Sequence, residues 1–170
     1  MILGYELKSI KNISSKSCLK KFDCGVEPLN TFLSSYAIKN DALGIGKTFV
    51  LENNEKQIGG YFTLATAQVS FDNVPDEYKL KLPKYPVPAI RIARLAVSND
   101  LKGKGIGKWL LSQAFIKILQ VSEITGIYLI IVDAKETSKK FYEKYGFIKF
   151  RNEKLTYFIP VETVRKAISE

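Results

Sequence analysis

The sequence has no histidine and only two cysteines, Cys18 and Cys24, among its 170 residues. Without histidine there is no Ser-His-Asp triad, no histidine base and no Cys/His zinc site. Two cysteines so close together are too few for a disulfide framework. The start, Met1–Lys8, lacks a basic region followed by a long apolar run, and no apolar run reaches about 18 residues. We therefore expect a cytoplasmic protein without a signal peptide or a membrane span.

Acidic residues are also scarce relative to basic ones. Lys and Arg number 26 against 17 Asp and Glu, which gives a net charge of +9. Such an excess favours polyanionic partners or ligands, although a solvated lysine-rich surface explains it equally well. The length predicts one domain over residues 1–170, and the 46% hydrophobic content is sufficient for a packed core.

The apolar pattern predicts an α/β chain with a mixed sheet, in the order β-α-β-β-β-α-β-α-β-β. The predicted strands are Ile2–Ile10, Thr48–Leu51, Ile58–Val69, Ile90–Val97, Tyr128–Asp133, Phe147–Phe150 and Thr156–Ile159. The predicted helices are Val26–Ala42, Gly105–Val121, Lys135–Lys144 and Val161–Ser169. In the first helix, one core-facing stripe is predicted from Leu29, Phe32, Leu33, Tyr36 and Ala37. Four prolines in Asp72–Pro88 predict a loop without a regular helix or central strand.

The segment Arg94–Leu111 has the pattern of a buried strand, a glycine-rich turn and a helix with an apolar face. Glycine permits positive φ and close approach to a ligand, and N–H groups at a helix start bind anions. The turn therefore predicts a phosphate site, although glycines here are as often simple turn residues. Neither the dinucleotide-binding nor the P-loop glycine spacing is present. The predicted site comprises Lys102, Gly103, Lys104, Gly105, Ile106, Gly107 and Lys108.

Lys102-x-x-Gly105-x-Gly107 resembles the Arg/Gln-x-x-Gly-x-Gly/Ala motif of the GNAT acetyltransferase superfamily, whose loop holds the pyrophosphate of coenzyme A. Lysine keeps the charge at the first position but loses the bidentate fork. The resemblance implies a single-domain GNAT fold, a mixed, mostly antiparallel twisted sheet of about six to seven strands flanked by helices. It also implies that strands 4 and 5 splay apart, and that the pantetheine arm bonds to the backbone of Leu95, Ala96 and Val97. Acetyl-CoA would be the co-substrate, without a metal.

Phe141–Phe147 fits the other hallmark of the superfamily, Phe-Tyr-x-x-x-Gly-Phe. In the family, the tyrosine that matches Tyr142 is the general acid, which returns a proton to the departing thiolate. A phenol of pKa about 10 can protonate a thiolate whose conjugate acid has a pKa of about 8.5. The pattern alone also fits an aromatic core residue on an amphipathic helix. Tyr145, on the same predicted helix, is the nearest alternative.

Further segments resemble one branch, the GNAT toxins of type II toxin–antitoxin systems. These segments are Phe22–Leu33, Thr48–Val50, Gly60–Leu64, Tyr85–Pro88 and Arg94–Val97. Toxins of this branch acetylate the α-amino group of aminoacyl-tRNA and stop translation. The resemblance implies an N-acetyltransferase with a ribbon-helix-helix antitoxin as partner, and a homodimer through Thr156–Ile159. The alternatives are a GNAT enzyme for a small amine or a protein amino terminus, and a non-catalytic module that binds acetyl-CoA or RNA.

The strand Ala89–Val97 contains no carboxylate that could deprotonate an acceptor amine. Keeping a lysine ε-amine neutral at pH 7 costs ~4.6 kcal/mol, whereas an α-amine costs only ~1 kcal/mol. The missing base therefore favours an α-amino acceptor. Glu27, Glu52 and Asp133 remain candidates to approach the site in the fold.

A tRNA substrate would give the positive charge a function, because Lys and Arg bind phosphates without regard to sequence. Lys39, Arg91 and Arg94 are the predicted tRNA contacts, together with the lysines of the loop Asp72–Pro88.

Overall fold

The computed structural model describes all residues, Met1–Glu170, and its seven strands belong to one sheet. The strands are β1 (Tyr5–Ser9), β2 (Lys47–Asn53), β3 (Ile58–Val69), β4 (Val87–Val97), β5 (Leu129–Asp133), β6 (Ile148–Lys149) and β7 (Thr156–Pro160). Their order is β1-β2-β3-β4-β5-β7-β6. The pairs β1–β2, β2–β3, β5–β7 and β6–β7 are antiparallel, and β4–β5 is parallel. The predicted mixed, mostly antiparallel sheet is confirmed.

Six α-helices accompany the sheet, and several short 3-10 turns connect them to it. The helices are α1 (Glu27–Thr31), α2 (Ala37–Leu43), α3 (Asp76–Lys79), α4 (Ile106–Ser122), α5 (Lys139–Lys144) and α6 (Val161–Ser169). Each of them is too short or too polar to cross a membrane.

The chain forms two compact units, and each has its own apolar cluster. The first unit comprises Met1–Ala65 and Ala93–Ala114, and the second comprises Thr66–Ile92 and Phe115–Glu170. In the first, the ring of Tyr61 lies edge-on to Phe22 and stacks on Phe32. In the second, Phe158 packs against Phe150 and Tyr78.

The first predicted helix contains a π-helical turn, and this turn overturns one prediction. Phe32–Tyr36 separates α1 from α2, and the N–H of Ala37 donates to the carbonyl of Phe32, five residues earlier. The wider turn shifts the 3.6-residue periodicity, and Tyr36 has a non-helical backbone (φ −122°, ψ −30°). Tyr36 was predicted to face the core, but its side chain is 55% exposed.

The prediction that Asp72–Pro88 holds no regular helix or central strand is wrong at two places. The single turn α3 follows Pro75, which occupies the N-cap position and therefore needs no N–H. Strand β4 begins at Val87 and so includes Pro88, near its first residue, where proline is tolerated. The carbonyl of Pro88 still accepts a hydrogen bond from the N–H of Tyr128.

Other predicted boundaries also move, among them those of β1 and α5. Strand β1 is shorter than predicted, because Leu3 and Gly4 take positive φ and form a turn before Tyr5. Helix α5 begins only at Lys139, four residues later than predicted. It ends as predicted, with Gly146 in a left-handed conformation (φ 91°).

The parallel register between β4 and β5 covers four residue pairs, from Ala89↔Leu129 to Ile92↔Val132. Strand β4 then continues through Ala93–Val97. The last pair lies one residue before the end of β5 at Asp133, so the second half of β4 extends beyond β5, and the predicted splaying of strands 4 and 5 stays a prediction.

A buried carboxylate fixes the segment between β1 and α1. Glu52 on β2 is 1% exposed and accepts hydrogen bonds from Lys8 and from the N–H and hydroxyl of Ser14. Burial by itself raises the pKa of Glu52, but the hydrogen bonds from Lys8 and Ser14 outweigh it and leave the pKa below its usual value.

We predict that Glu52→Gln lowers the free energy of unfolding by about 2 kcal/mol at pH 7. The donors of Lys8 and Ser14 bond to both carboxylate oxygens, and an amide offers only one oxygen to accept from them. A depressed pKa stabilises the fold above the unfolded-state value of 4.5, and this contribution is lost as the pH falls through the folded-state pKa. Urea unfolding of both proteins at pH 7 and at acid pH should therefore show the difference shrinking in acid. A pH-independent difference would contradict this origin.

Candidate active site

The turn between β4 and α4 has the backbone geometry that its glycines predict. Gly103 and Gly105 lie in the left-handed region, with φ of 75° and 80°. An added Cβ at either position would meet no atom within 4 Å, so the turn is open to solvent. Residues with a Cβ are strained at such φ values, which explains why glycine stands at both positions.

Five N–H groups of this turn are available to a ligand. Those of Gly103 and Gly105 donate no hydrogen bond within the protein. The carbonyl of Gly105 accepts from the N–H of Trp109 and so begins α4, which leaves the N–H groups of Ile106, Gly107 and Lys108 without helical acceptors. Unpaired N–H groups at the positive end of a helix dipole can bind an anion, and a pyrophosphate is an anion of this kind.

The lysines of the turn differ in their surroundings. Lys104 and Lys108 are exposed and have no acidic partner. The Nζ of Lys102 instead donates to the carbonyl oxygen of Cys24, 2.6 Å away. The side chain of Lys102, the first residue of the motif, therefore anchors a neighbouring loop, and its main chain carries the turn.

The loop anchored by Lys102 is a polar network that the sequence analysis did not identify. The carboxylate of Asp23 accepts from the N–H of Gly25 and from the amide of Asn30. These two hydrogen bonds hold the pKa of Asp23 below its usual value. The carbonyl of Asp23 accepts from the N–H of Asn99, two residues after the end of β4. The Asp-x-Gly spacing is an Asx-turn signal that would have indicated half of this network.

Tyr142 lies on α5 with a buried ring and an accessible hydroxyl. The residue is 6% exposed, and its ring makes edge-to-face contacts with Phe141 and Phe147. Its hydroxyl makes no hydrogen bond within the protein. Every fully buried side-chain oxygen of the protein has a hydrogen-bond partner, so the unpaired hydroxyl of Tyr142 must be accessible to solvent. Burial raises the pKa of Tyr142 to about 12. The ring of the alternative, Tyr145, lies against Phe141 and is partly exposed.

The two arginines of β4 have different environments. Arg91 forms an ion pair with Asp133, which also accepts from the hydroxyl of Thr156. The side chain of Arg94 forms no ion pair and no hydrogen bond, and its guanidinium lies over the ring of Phe32, 3.5 Å from the ring centre. Burial lowers the pKa of Arg94, but a guanidinium still carries its charge at neutral pH.

Arg94 also lines an open cavity of about 580 Å³. Its wall also contains Glu27, Pro28, Thr31, Phe32, Tyr36 and Asn40. Neither Glu27 nor Tyr36 was predicted to belong to a pocket with Arg94. No sequence signal marks the cavity, because the π-helical turn that exposes Tyr36 has no recognisable pattern.

The remaining candidates are separated by their contacts. Glu52 accepts hydrogen bonds from Lys8 and Ser14. Asp133 forms an ion pair with Arg91. Among the three proposed carboxylates, only Glu27 lies in the cavity of Arg94. Lys39 is exposed on α2 and has no acidic partner. No cluster of three or more acidic or cysteine side chains is arranged to hold a metal ion.

Comparison with known proteins gives the same family over most of the chain. The family model of the acetyltransferase (GNAT) domain matches residues 44–149. A tRNA-acetylating toxin of Mycobacterium tuberculosis (strain ATCC 25618 / H37Rv) is 28% identical over 138 residues, which cover 81% of this chain and 82% of the toxin.

Three solved structures share the fold over nearly the whole chain. AtaT complexed with acetyl-methionyl-tRNAfMet has a TM-score of 0.88 at 27% identity, covering 96% of this chain and 99% of that one. AtaTR bound with AcCoA has a TM-score of 0.83 at 27% identity, covering 97% and 98%. A tyrosine-to-phenylalanine mutant of AtaT bound to the C-terminus of the antitoxin AtaR has a TM-score of 0.83 at 25% identity, covering 98% and 99%.

We predict opposite effects for two lysines of the turn. Lys102→Met should lower the free energy of unfolding by about 1–2 kcal/mol, because the carbonyl of Cys24 loses its donor. Lys104→Met should leave stability unchanged within about 0.5 kcal/mol and weaken coenzyme A binding, since Lys104 is exposed and unpaired. Thermal unfolding and calorimetric titration with coenzyme A measure the two effects.

The two variants are each other's controls, since both replace one lysine of the same turn by a residue of similar length. If Lys102→Met weakened coenzyme A binding more than Lys104→Met without loss of stability, Lys102 would be a direct phosphate ligand.

Proposed function

Because the chain belongs to the GNAT acetyltransferase family, we propose that it is an acetyl-CoA-dependent N-acetyltransferase whose acceptor is the α-amino group of aminoacyl-tRNA. An acetylated α-amine is no longer a nucleophile, so the enzyme would act as a toxin that inhibits translation. The observation that carries the proposal is the likeness over 96% of the chain to AtaT holding acetyl-methionyl-tRNAfMet.

The first unit supplies the groups that hold the cofactor. The open N–H groups of Gly103, Gly105 and the first turn of α4 bind the pyrophosphate, and the ammonium groups of Lys104 and Lys108 add charge. The backbone of Leu95–Val97, beyond the last β4–β5 pair, is available for hydrogen bonds to the pantetheine arm. Acetyl-CoA supplies a thioester, whose acetyl group is transferred to the acceptor nitrogen as the thiol leaves.

Tyr142 is the proposed general acid. Its pKa of about 12 keeps the phenol protonated throughout the physiological range, and its hydroxyl has no competing partner in the protein. The phenol donates its proton to the sulfur as the carbon–sulfur bond breaks. The acceptor attacks as a neutral amine, and its nitrogen then releases a proton to restore the phenol, directly or through water.

The acceptor is bound through phosphates, for which Arg94 and Lys39 have free positive charge and Arg91 has a charge shared with Asp133.

The same proposal implies an antitoxin with a ribbon-helix-helix domain, a homodimer that uses the strand Thr156–Ile159, and action in the cytoplasm, where charged tRNA is used. AtaT bound to the C-terminus of AtaR supports the antitoxin.

We predict that Tyr142→Phe lowers the rate of acetyl transfer by about 100-fold or more, because the general acid is lost while the ring packing is kept. Purified protein, labelled acetyl-CoA and a pool of charged tRNA are incubated, and label on the aminoacyl end is counted. Tyr145→Phe is the matched control, since it removes a hydroxyl from the end of the same helix, and it should retain activity.

Label on particular charged tRNAs with wild type, absent with Tyr142→Phe, would establish both the chemistry and the substrate. An unlabelled tRNA pool with coenzyme A binding intact would reject the toxin reaction and leave a small amine or a protein amino terminus as acceptor. Coenzyme A binding without any transfer would instead indicate a non-catalytic module.

We further predict that kcat/KM rises with pH through the pKa of the acceptor α-amine, ~7.8, and then stays level to about pH 10. The rise follows deprotonation of the amine. The level region follows from the raised pKa of Tyr142, since the acid form persists until the pH approaches about 12. A stable amide-linked aminoacyl nucleoside serves as acceptor, and a fall in rate near pH 9 would contradict this assignment.

A further inference from the structure

The guanidinium of Arg94 is the one charge of β4 without a protein partner. Arg91, three residues earlier, is neutralised by Asp133, whereas the guanidinium of Arg94 lies over the face of Phe32, near Tyr61, and forms no ion pair. Stacking covers one face of a guanidinium and leaves the N–H groups on its edge free to donate hydrogen bonds to a ligand. A partly buried, uncompensated cation is unfavourable by itself, and an anionic ligand would compensate it.

The cavity beside Arg94 has the size and the lining of a nucleotide site. Its volume of about 580 Å³ lies within the range of small-molecule pockets. Phe32 lies on one side under the guanidinium, while Tyr36 presents a side chain that is 55% exposed. An exposed aromatic face beside a cation is the arrangement on which nucleic-acid bases stack.

The cavity also contains a negative charge. Glu27 lines it, accepts a hydrogen bond from the hydroxyl of Thr31 at 3.4 Å, and forms no ion pair with Arg94. Separate positive and negative groups in one cavity are complementary to a ligand with both an anion and an amine. An aminoacyl nucleotide has this combination, with a phosphate and an α-amino group.

Arg94 stands next to the strand segment assigned to the cofactor. It directly precedes Leu95–Val97, and a strand rises about 3.3 Å per residue, so the three residues span ~10 Å. Arg94 shares a face of β4 with Ala96, which packs in the same apolar cluster as Phe32. A ligand bound to Arg94 therefore lies beside the first residues of that segment.

We propose that this cavity, the acceptor cavity, binds the 3′-terminal adenosine nucleotide of aminoacyl-tRNA, with Arg94 on its phosphate and Tyr36 against its base. Glu27 faces the amino group. The inference rests on the proposed function and extends it, because it assigns the end of the acceptor to named side chains of the first unit.

The test compares two acceptor analogues that differ by one cytidylyl group, which is attached through a phosphodiester. Puromycin is an aminoacyl nucleoside with a free α-amine and no phosphate, and cytidylyl-(3′→5′)-puromycin adds the phosphate and one nucleotide. Binding is measured by calorimetry without acetyl-CoA, and acetylation is measured separately with acetyl-CoA. We expect the wild type to bind the phosphate-containing analogue about tenfold more tightly or better.

The variants separate the two contacts. Arg94→Met should reduce the preference for the phosphate-containing analogue to about unity, and Arg94→Lys should retain part of it. Tyr36→Leu should weaken both analogues by about tenfold, and Tyr36→Phe, which keeps the ring, should restore binding. Lys166→Met, which removes an exposed charge from α6, should keep the full preference and controls for net charge.

Each outcome decides the proposal. A preference retained in Arg94→Met, or equal affinities of wild type for both analogues, would overturn it. If Arg94→Met is unstable by thermal unfolding, a full preference in Arg94→Lys together with unchanged binding in Tyr36→Leu would overturn it. If binding depends on Arg94 but no acetylation occurs, the proposed function alone is rejected. If charged tRNA is acetylated but the preference for the phosphate-containing analogue does not depend on Arg94, the acceptor cavity alone is rejected.

Discussion

The ammonium of Lys102 donates to the carbonyl of Cys24, and this contact links the turn after β4 to the segment that precedes α1. A second link joins the N–H of Asn99 to the carbonyl of Asp23, whose carboxylate in turn holds Gly25. The turn is therefore held from both sides before a ligand arrives. Its open N–H groups are fixed in direction, so that the anion binding that we propose would avoid the entropy loss of ordering a mobile loop. This arrangement uses the charge of Lys102 for position rather than for direct contact.

The same division between structural and available charge appears on β4. Arg91 and Arg94 are three residues apart on one strand, and sequence alone gives them equal claims on a tRNA phosphate. The pair with Asp133 removes most of the attraction of Arg91 for an external anion, because a new ligand must compete with a carboxylate already in contact. Arg94 keeps its charge and is held flat by Phe32. Its orientation is thus set by the apolar core, and binding loses little side-chain entropy.

Sequence reasoning succeeded where periodicity and glycine chemistry act locally. Strand Ile58–Val69, helix Val161–Ser169 and the left-handed Gly146 are as predicted, and so are the positive φ angles of Gly103 and Gly105 in the turn before α4. It failed where a long-range contact or a single extra residue decides. The π-helical turn exposes Tyr36 although its spacing fits a core stripe. The hydrogen bond from Lys102 to a carbonyl 78 residues away leaves no local pattern. The cavity of Arg94 likewise combines residues 27–40 with a strand residue far along the chain.

The burial of Tyr142 changes the energetics expected from an ordinary phenol. With a pKa of about 12, full proton transfer to a thiolate whose conjugate acid has a pKa of about 8.5 is uphill by ~5 kcal/mol. A free phenolate is therefore not a stable product in this environment. The transfer must be coupled to loss of a proton from the nitrogen, which becomes strongly acidic once it is bonded to the acetyl carbon. In the reaction that we propose, Tyr142 is therefore a relay that is reprotonated within the same turnover, and its protonated resting state follows from the same burial.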